Sequence, residues 1–188
     1  MRLVIIVLVF LIGKVPSPPV ETIEVQPYIG ISEKYTKGVV EELLKVHPKV
    51  VVNKAIVLPR WCKVNGRYRS DSLLKHLESI VQKGHVIVGI TISDITAPVR
   101  KVKDWGVFGY GRISGAAAVA SSFRLNKSNK IEQLYKVVVH ELGHTRGLRH
   151  CSDPICIMAD AKGKNNLDKG EKFCTNCAKH LRLKGWKL

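Results

Sequence analysis

The stretch His140-Glu141-Leu142-Gly143-His144-Thr145-Arg146-Gly147-Leu148-Arg149-His150 decides how the rest of the chain is read. Upstream of it Ile131, Leu134, Tyr135, Val138 and Leu142 recur at helical spacing, which predicts a helix from about Lys130 that carries His140 and His144 on its last turns. Residues four apart stack on one helix face, so both imidazoles aim at one point. Glu141, rotated by about 100°, reaches a water held there. Gly147 has the freedom to adopt a left-handed backbone that ends the helix, and the turned chain then brings His150 to the same point from outside it. From ordinary residue frequencies, five fixed positions of this kind meet by accident in a chain of this length about once in ten thousand times or less.

Three neutral imidazoles form a zinc donor set whose fourth position stays open to water, and the ion lowers the pKa of that water to about 7. Glu141 is then placed as general base, taking a proton as hydroxide attacks a carbonyl and returning it to the leaving amine. Since Glu141 is not a ligand, nothing in a purely structural site requires a glutamate there. That argues against the rival reading of a non-catalytic, zinc-ordered basic module that binds an acidic protein or a nucleic acid.

Four of the five cysteines, Cys151, Cys156, Cys174 and Cys177, lie within one short stretch, while Cys62 stands alone. Two disulfides compete with a metal site as the explanation. A C-x-x-C pair facing a second nearby pair is the spacing with which two loops supply four thiolates to one tetrahedral zinc, and it favours the metal.

The extended histidine motif, followed at once by Cys151 and later by Cys156, Ile157, Met158, Cys174 and Cys177, resembles the metzincins and among them the archaemetzincins. The resemblance runs from about Thr22 to the C-terminal helix. It implies that Met158 is the turn methionine packed below the histidine ligands; on its own Met158 reads as an ordinary core residue. It also implies a zinc-dependent metallopeptidase with two zinc ions per chain, one catalytic on His140, His144 and His150, and one structural on the four cysteines. The gap from Met158 to Cys174 is shorter than the family pattern, and the apolar leader before Thr22 is foreign to it. By the same resemblance the strand Ala116 to Leu125 would edge the cleft and take a peptide as an added strand.

Outward from the motif, Thr22 to Ile29 reads as a strand. Ser32 to His47 reads as a helix with Ser32 at its N-cap, Val50 to Leu58 as a strand, Ser70 to about Lys83 as a helix closed by Gly84, and His85 to Ile92 as a strand. This order predicts a sheet with parallel crossovers. The glycine-rich run Trp105 to Gly115 lacks the lysine and following helix of a phosphate loop and reads as strand and turn. The fold class expected is α/β (α+β), zincin/metzincin-like: a twisted mixed sheet with an active-site helix and a small C-terminal subdomain closed by the four-cysteine zinc. Residues 1–20 form an apolar leader; residues 21–188 form one catalytic domain, divided at about 147/148 into upper and lower parts.

With 188 residues, 45% hydrophobic and 24% charged, the chain has the balance of one folded domain, not of a disordered one. Its net charge of +16 attracts anions at long range, yet the lysines are scattered and read as a solvated face, so no specific nucleic-acid partner is expected. The partner expected is a peptide or protein substrate, with a monomeric enzyme. Arg146 and Arg149 flank the metal segment and predict a preference for acidic groups or a C-terminal carboxylate. The apolar run Leu3 to Ile12 is too short to span a bilayer, which needs about twenty residues, and no A-x-A site follows it. A thiolate site suits a reducing compartment, so a cytoplasmic location is expected, the alternative being weak anchoring or export through the leader.

Overall fold

The computed structural model describes residues 20–99, 101–161, 167–168, 170 and 172–188. The apolar run Leu3 to Ile12 lies outside them. The core of the architecture is a sheet built from β1 (Thr22–Pro27), β2 (Val50–Val52), β5 (His85–Thr91), β8 (Gly109–Gly111) and β9 (Ala117–Ser121), in the order β2-β1-β5-β9-β8. β1 is parallel to both β2 and β5, β5 is parallel to β9, and β8 returns antiparallel along β9. The parallel pairs require crossovers, supplied between β1, β2 and β5 by α1 (Glu33–Val46) and α2 (Ser70–Ile80) as the sequence order predicts, and between β5 and β9 by strands instead of a helix. A second sheet, which the sequence reading did not separate from the first, joins β3 (Lys63–Val64), β4 (Arg67–Arg69), β6 (Ile95–Val99) and β7 (Val102–Val107) in the order β3-β4-β6-β7.

Alternation along the buried strands divides the core in two. Val86, Val88 and Ile90 of β5 point with Ile23 and Val25 toward α1 and the long helix α3 (Lys130–Thr145), whereas Ile87 points with Tyr28 and Val119 toward Leu73, Leu74 and Leu77 of α2. Gly38 of α1 lets α3 approach closely: a side chain there would come within 2.6 Å of Ile131 Cγ2. The chain closes with α4 (Thr175–Arg182), whose Leu181 joins the α3 side of the core together with Trp186 and Met158.

Several elements are shorter than the sequence predicts. Ser32 occupies the N-cap position of α1, where its carbonyl, not its hydroxyl, accepts from the Tyr35 and Thr36 amides. The β-branched run from Val50 pairs only as far as Val52 and then touches the sheet through the isolated Tyr28/Ile56 bridge. α2 begins at Ser70 and stops at Ile80, with Gly84 at φ +81° in the turn that follows. The strand expected over Ala116 to Leu125 is β9, but β8 covers it. The edge at that end of the sheet is β8, because the glycine-rich segment, read as strand and turn, crosses from the second sheet and pairs back onto β9, while β2 forms the opposite edge.

Candidate active site and metal centres

α3 places His140 and His144 on one face at the end of a 16-residue helix. Gly147, at φ +93°, then closes the helix: its amide donates to the His144 carbonyl at 2.9 Å, and the Leu148 amide reaches back to the Gly143 carbonyl at 3.0 Å. This pair of bonds is the Schellman closure, and only the left-handed residue makes it without strain. It turns the chain so that His150 meets the two helical imidazoles, with ring centres 5.4 Å from His140 and 5.0 Å from His144. One ring nitrogen from each of the three lies within 4.8 Å of the others.

Two backbone carbonyls set the orientation of the helical pair. His140 Nδ1 donates to the Ile157 carbonyl and His144 Nδ1 to the Leu148 carbonyl, each at 2.7 Å. A proton on Nδ1 leaves the Nε2 lone pair free to face a common ligand, which is how a metal-binding histidine is normally tuned. Burial, reinforced by the facing imidazoles, lowers the pKa of His140 to about 4, and burial also lowers that of His144, so both are neutral bases near pH 7. The donor set therefore fits a cation such as zinc.

Glu141 leaves the helix on the side of β8. Its carboxylate lies against Gly109, where a side chain would come within 2.6 Å of Glu141 Cγ and 2.7 Å of Oε1, and a side chain at Gly111 would strike the Glu141 carbonyl. The two glycines let the sheet edge rest directly on the helix. Burial raises the Glu141 carboxyl to about 8, opposed by the hydrogen bond it accepts from the Gly111 amide, and a cation on the neighbouring imidazoles would favour the ionised form that can accept a proton.

The cysteines form the second cluster. Cys151, Cys156, Cys174 and Cys177 bring their sulfurs within 4.8 Å of one another, and among the described residues no disulfide forms. The Met158 and Cys174 amides point at Cys156 Sγ at 3.4 and 3.3 Å, as donors do toward thiolate sulfur. Such a set fits a tetrahedral structural ion. Its loop also carries three elements of the histidine site. Cys151 follows His150, the Cys151 amide donates to the Met158 carbonyl at 2.7 Å, and Ile157 supplies the carbonyl that holds His140. Met158 is fully buried beneath the helix, where a side chain at Gly143 would come within 2.5 Å of its sulfur.

The three histidines and four clustered cysteines singled out from the sequence thus fall into two adjoining clusters, with Met158 between them. Arg146 does not join them. Its guanidinium is turned away, ion-paired with Glu21 and bonded to the Gly115 carbonyl at 3.3 Å, because the helix end packs it between the start of β1 and the turn before β9. Arg149, the other flanking arginine, is exposed next to His150. Sequence reasoning missed the orienting carbonyls of Ile157 and Leu148, which carry no side-chain signal, and the glycines of β8, whose alternation was visible without its purpose. Cys62 stays apart, buried among the α2 side chains.

Comparison with known proteins gives this geometry a family. The model of peptidase family M54 matches residues 35–183. The chain is 33% identical to the archaemetzincin of Methanopyrus kandleri over 159 residues, spanning 81% of this chain and 87% of that one. It is likewise 33% identical to the archaemetzincin of Archaeoglobus fulgidus over 154 residues, 76% of this chain and 91% of the relative. The crystal structure of the Methanopyrus kandleri protein superposes with a TM-score of 0.73 at 27% identity, covering 90% and 98% of the two chains. That of the Archaeoglobus fulgidus protein, complexed with malonate, gives 0.72 at 28% identity, covering 85% and 99%. The chain belongs to peptidase family M54, the archaemetzincin family of zinc-dependent metallopeptidases.

Proposed function

We propose that His140, His144 and His150 hold a catalytic zinc, that Cys151, Cys156, Cys174 and Cys177 hold a structural one, and that the substrate is a peptide laid along β8. The observation that carries this reading is the convergence of three carbonyl-oriented or motif-borne imidazoles beside a carboxylate that is itself pressed against an open sheet edge. Among the described residues no helix is long and apolar enough to cross a membrane. The thiolate set favours a reducing compartment, in line with a cytoplasmic protein. Residues 148–188, which carry His150 and the four cysteines, serve as the lower part of the catalytic domain.

Bound zinc supplies Lewis acidity, bringing the pKa of water to about 7 and polarising the scissile carbonyl. The chain's own residues do the rest. A peptide added to the free edge of β8 exchanges main-chain hydrogen bonds with Gly109–Gly111, which fixes its carbonyl over the histidine cluster with little demand on side-chain identity. Glu141 Oε accepts the proton of the attacking water and delivers it to the leaving nitrogen, its position fixed by the Gly111 amide. Met158 and the two orienting carbonyls keep the imidazoles from rotating when substrate arrives. Acidic groups near the cleft would meet Arg149; Arg146 is spent on Glu21.

Zinc per chain by elemental analysis, on protein prepared with zinc, tests the two-site reading. About two ions in the wild type, about one in His144→Ala and about one in Cys177→Ala are expected. A peptide library then supplies the cleavage test, with Glu141→Ala as the inactive control. A single ion that survives His144→Ala and vanishes in Cys177→Ala would overturn the catalytic-zinc assignment.

A further inference from the structure

Away from both metal clusters, one carboxylate gathers four segments of chain at the upstream end of the cleft edge. Asp94 lies in the turn between β5 and β6. Its oxygens accept from Arg67 Nε at 2.8 Å and from Arg124 Nε and Nη2 at 2.9 and 2.8 Å, and its carbonyl accepts from the Tyr68 amide at 3.0 Å. Arg67 Nη1 continues to the Asp104 carbonyl on β7 at 3.2 Å. Tyr68 pairs with Ile95 and packs on the α2 side of the sheet, so its neighbour Arg67 projects from the opposite face, where Gly106 lies across from Thr96. There both guanidiniums rest on Gly106: a side chain at that position would collide with Arg124 Cζ and come within 2.6 Å of Arg67 Nη2. Asp104 lies on the same face of β7 as Gly106, and its Oδ1 is buried without a hydrogen-bond partner among the described residues.

β7 runs from Gly106 through Phe108 into β8, so whatever fixes Gly106 fixes the entry to the edge that rests on Glu141. β8 pairs with β9 over three residues, two of them glycine, and is flanked upstream by the Ser121 amide on the Phe108 carbonyl at 2.7 Å and downstream by the Arg112 amide on the Ala117 carbonyl at 3.5 Å and the Arg112–Glu78 ion pair at 3.3 Å. We propose that Asp94 is a positioning residue for peptide binding: through Arg67 and Arg124 it clamps Gly106 and so sets the height of β8 above Glu141. This rests on the reading that substrate adds to β8. An extended ligand feels the clamp, because its main-chain bonds depend on where the edge lies. A ligand confined to the histidine cluster does not, because the clamp touches none of those residues.

The test uses two probes on the full zinc-loaded chain: acetohydroxamate, which is confined to the metal, and a peptidyl hydroxamate two residues long, which also pairs with the edge. Calorimetry on Asp94→Ala is expected to show the peptidyl probe weakened by about tenfold or more while acetohydroxamate stays within about twofold, with Asp94→Glu recovering most of the loss. Gly106→Ala, which pushes the guanidiniums off the strand without removing them, is expected to produce the same selective loss and decides the matter if Asp94→Ala does not fold. Equal losses for both probes, or no loss for either, would overturn the proposal. A wild-type chain that bound neither probe would instead overturn the zinc-site reading beneath it.

Discussion

Gly109 offers a sharp perturbation, because adding one methyl group tests the contact between sheet edge and active-site helix. In Gly109→Ala the new Cβ would lie 2.6 Å from Glu141 Cγ and 2.7 Å from both Glu141 Oε1 and Val137 Cγ1. Three such contacts on buried partners are an overpacking of the kind that costs about 1–3 kcal/mol. Replacing glycine inside a strand returns about 0.5–1 kcal/mol of chain entropy, which leaves a net loss of up to about 2.5 kcal/mol. For a domain of this size that lowers Tm by up to about 10 °C. Turnover should suffer more than stability, since β8 and the Glu141 carboxylate must move apart and a displacement near 1 Å can cost about a hundredfold. The assay is thermal unfolding beside cleavage of a fluorogenic peptide, with zinc content as a check that the histidine cluster is intact. Gly170→Ala, whose added Cβ would meet only ordinary contacts at 3.7 Å and beyond, serves as the control. Wild-type turnover and Tm in Gly109→Ala would refute the claim that close approach at this residue sets the geometry of Glu141.

Cys177→Ser should reduce zinc by about one ion per chain and lower Tm sharply, because a structural zinc contributes about 10 kcal/mol or more to forming its site; unchanged melting would contradict it. At Gly147 the order of denaturant stability should be glycine, then asparagine, then alanine, with Gly147→Ala losing about 1–2 kcal/mol, since the φ of +93° penalises a Cβ that otherwise has room. A tolerated alanine would mean that the helix closure is not strained. For Glu24, burial alone would raise the carboxyl, but donation from Asn53 Nδ2, the Gln82 amide and His85 Nδ1 outweighs it and holds the pKa below the ordinary 4.5. Its stabilisation is therefore complete above that ordinary value and fades as pH falls through the lower folded one. Glu24→Gln should flatten the loss of stability measured between about pH 5 and pH 3; an unchanged acid limb would rule Glu24 out as a contributor.

What the sequence made legible follows from how local each feature is. The histidine motif could be read because helix periodicity and one glycine fix three side chains over eleven residues, and the structure places them together. The parallel sheet followed from the alternation of strand and helix patterns. Strand lengths were overestimated at Val50 and Ala116 because β-branched and small residues mark an extended chain, whereas pairing stops where the neighbouring strand ends. The cleft edge went to β9 instead of β8 for a related reason. Gly109 and Gly111 have little strand propensity of their own, and only the tertiary demand for a thin backbone over Glu141 explains them. The Asp94 cluster joins residues 27 and 30 positions away in sequence, and no local pattern announces it.

An open strand edge is also a template for self-association, and natural sheets blunt such edges. β8 meets that hazard through its brevity. It presents three half-buried residues, Gly109, Tyr110 and Gly111, and the glycines have no side chain to offer a partner chain. Two copies meeting there would gain a few backbone hydrogen bonds and little buried area, too little to hold a dimer. On the proposed reading, a peptide would gain the same few bonds plus an anchor at the histidine cluster, so the edge would reward a chain captured by its carbonyl over one that merely collides. Substrate capture and resistance to self-association would then make the same demand on this strand, which its two glycines meet.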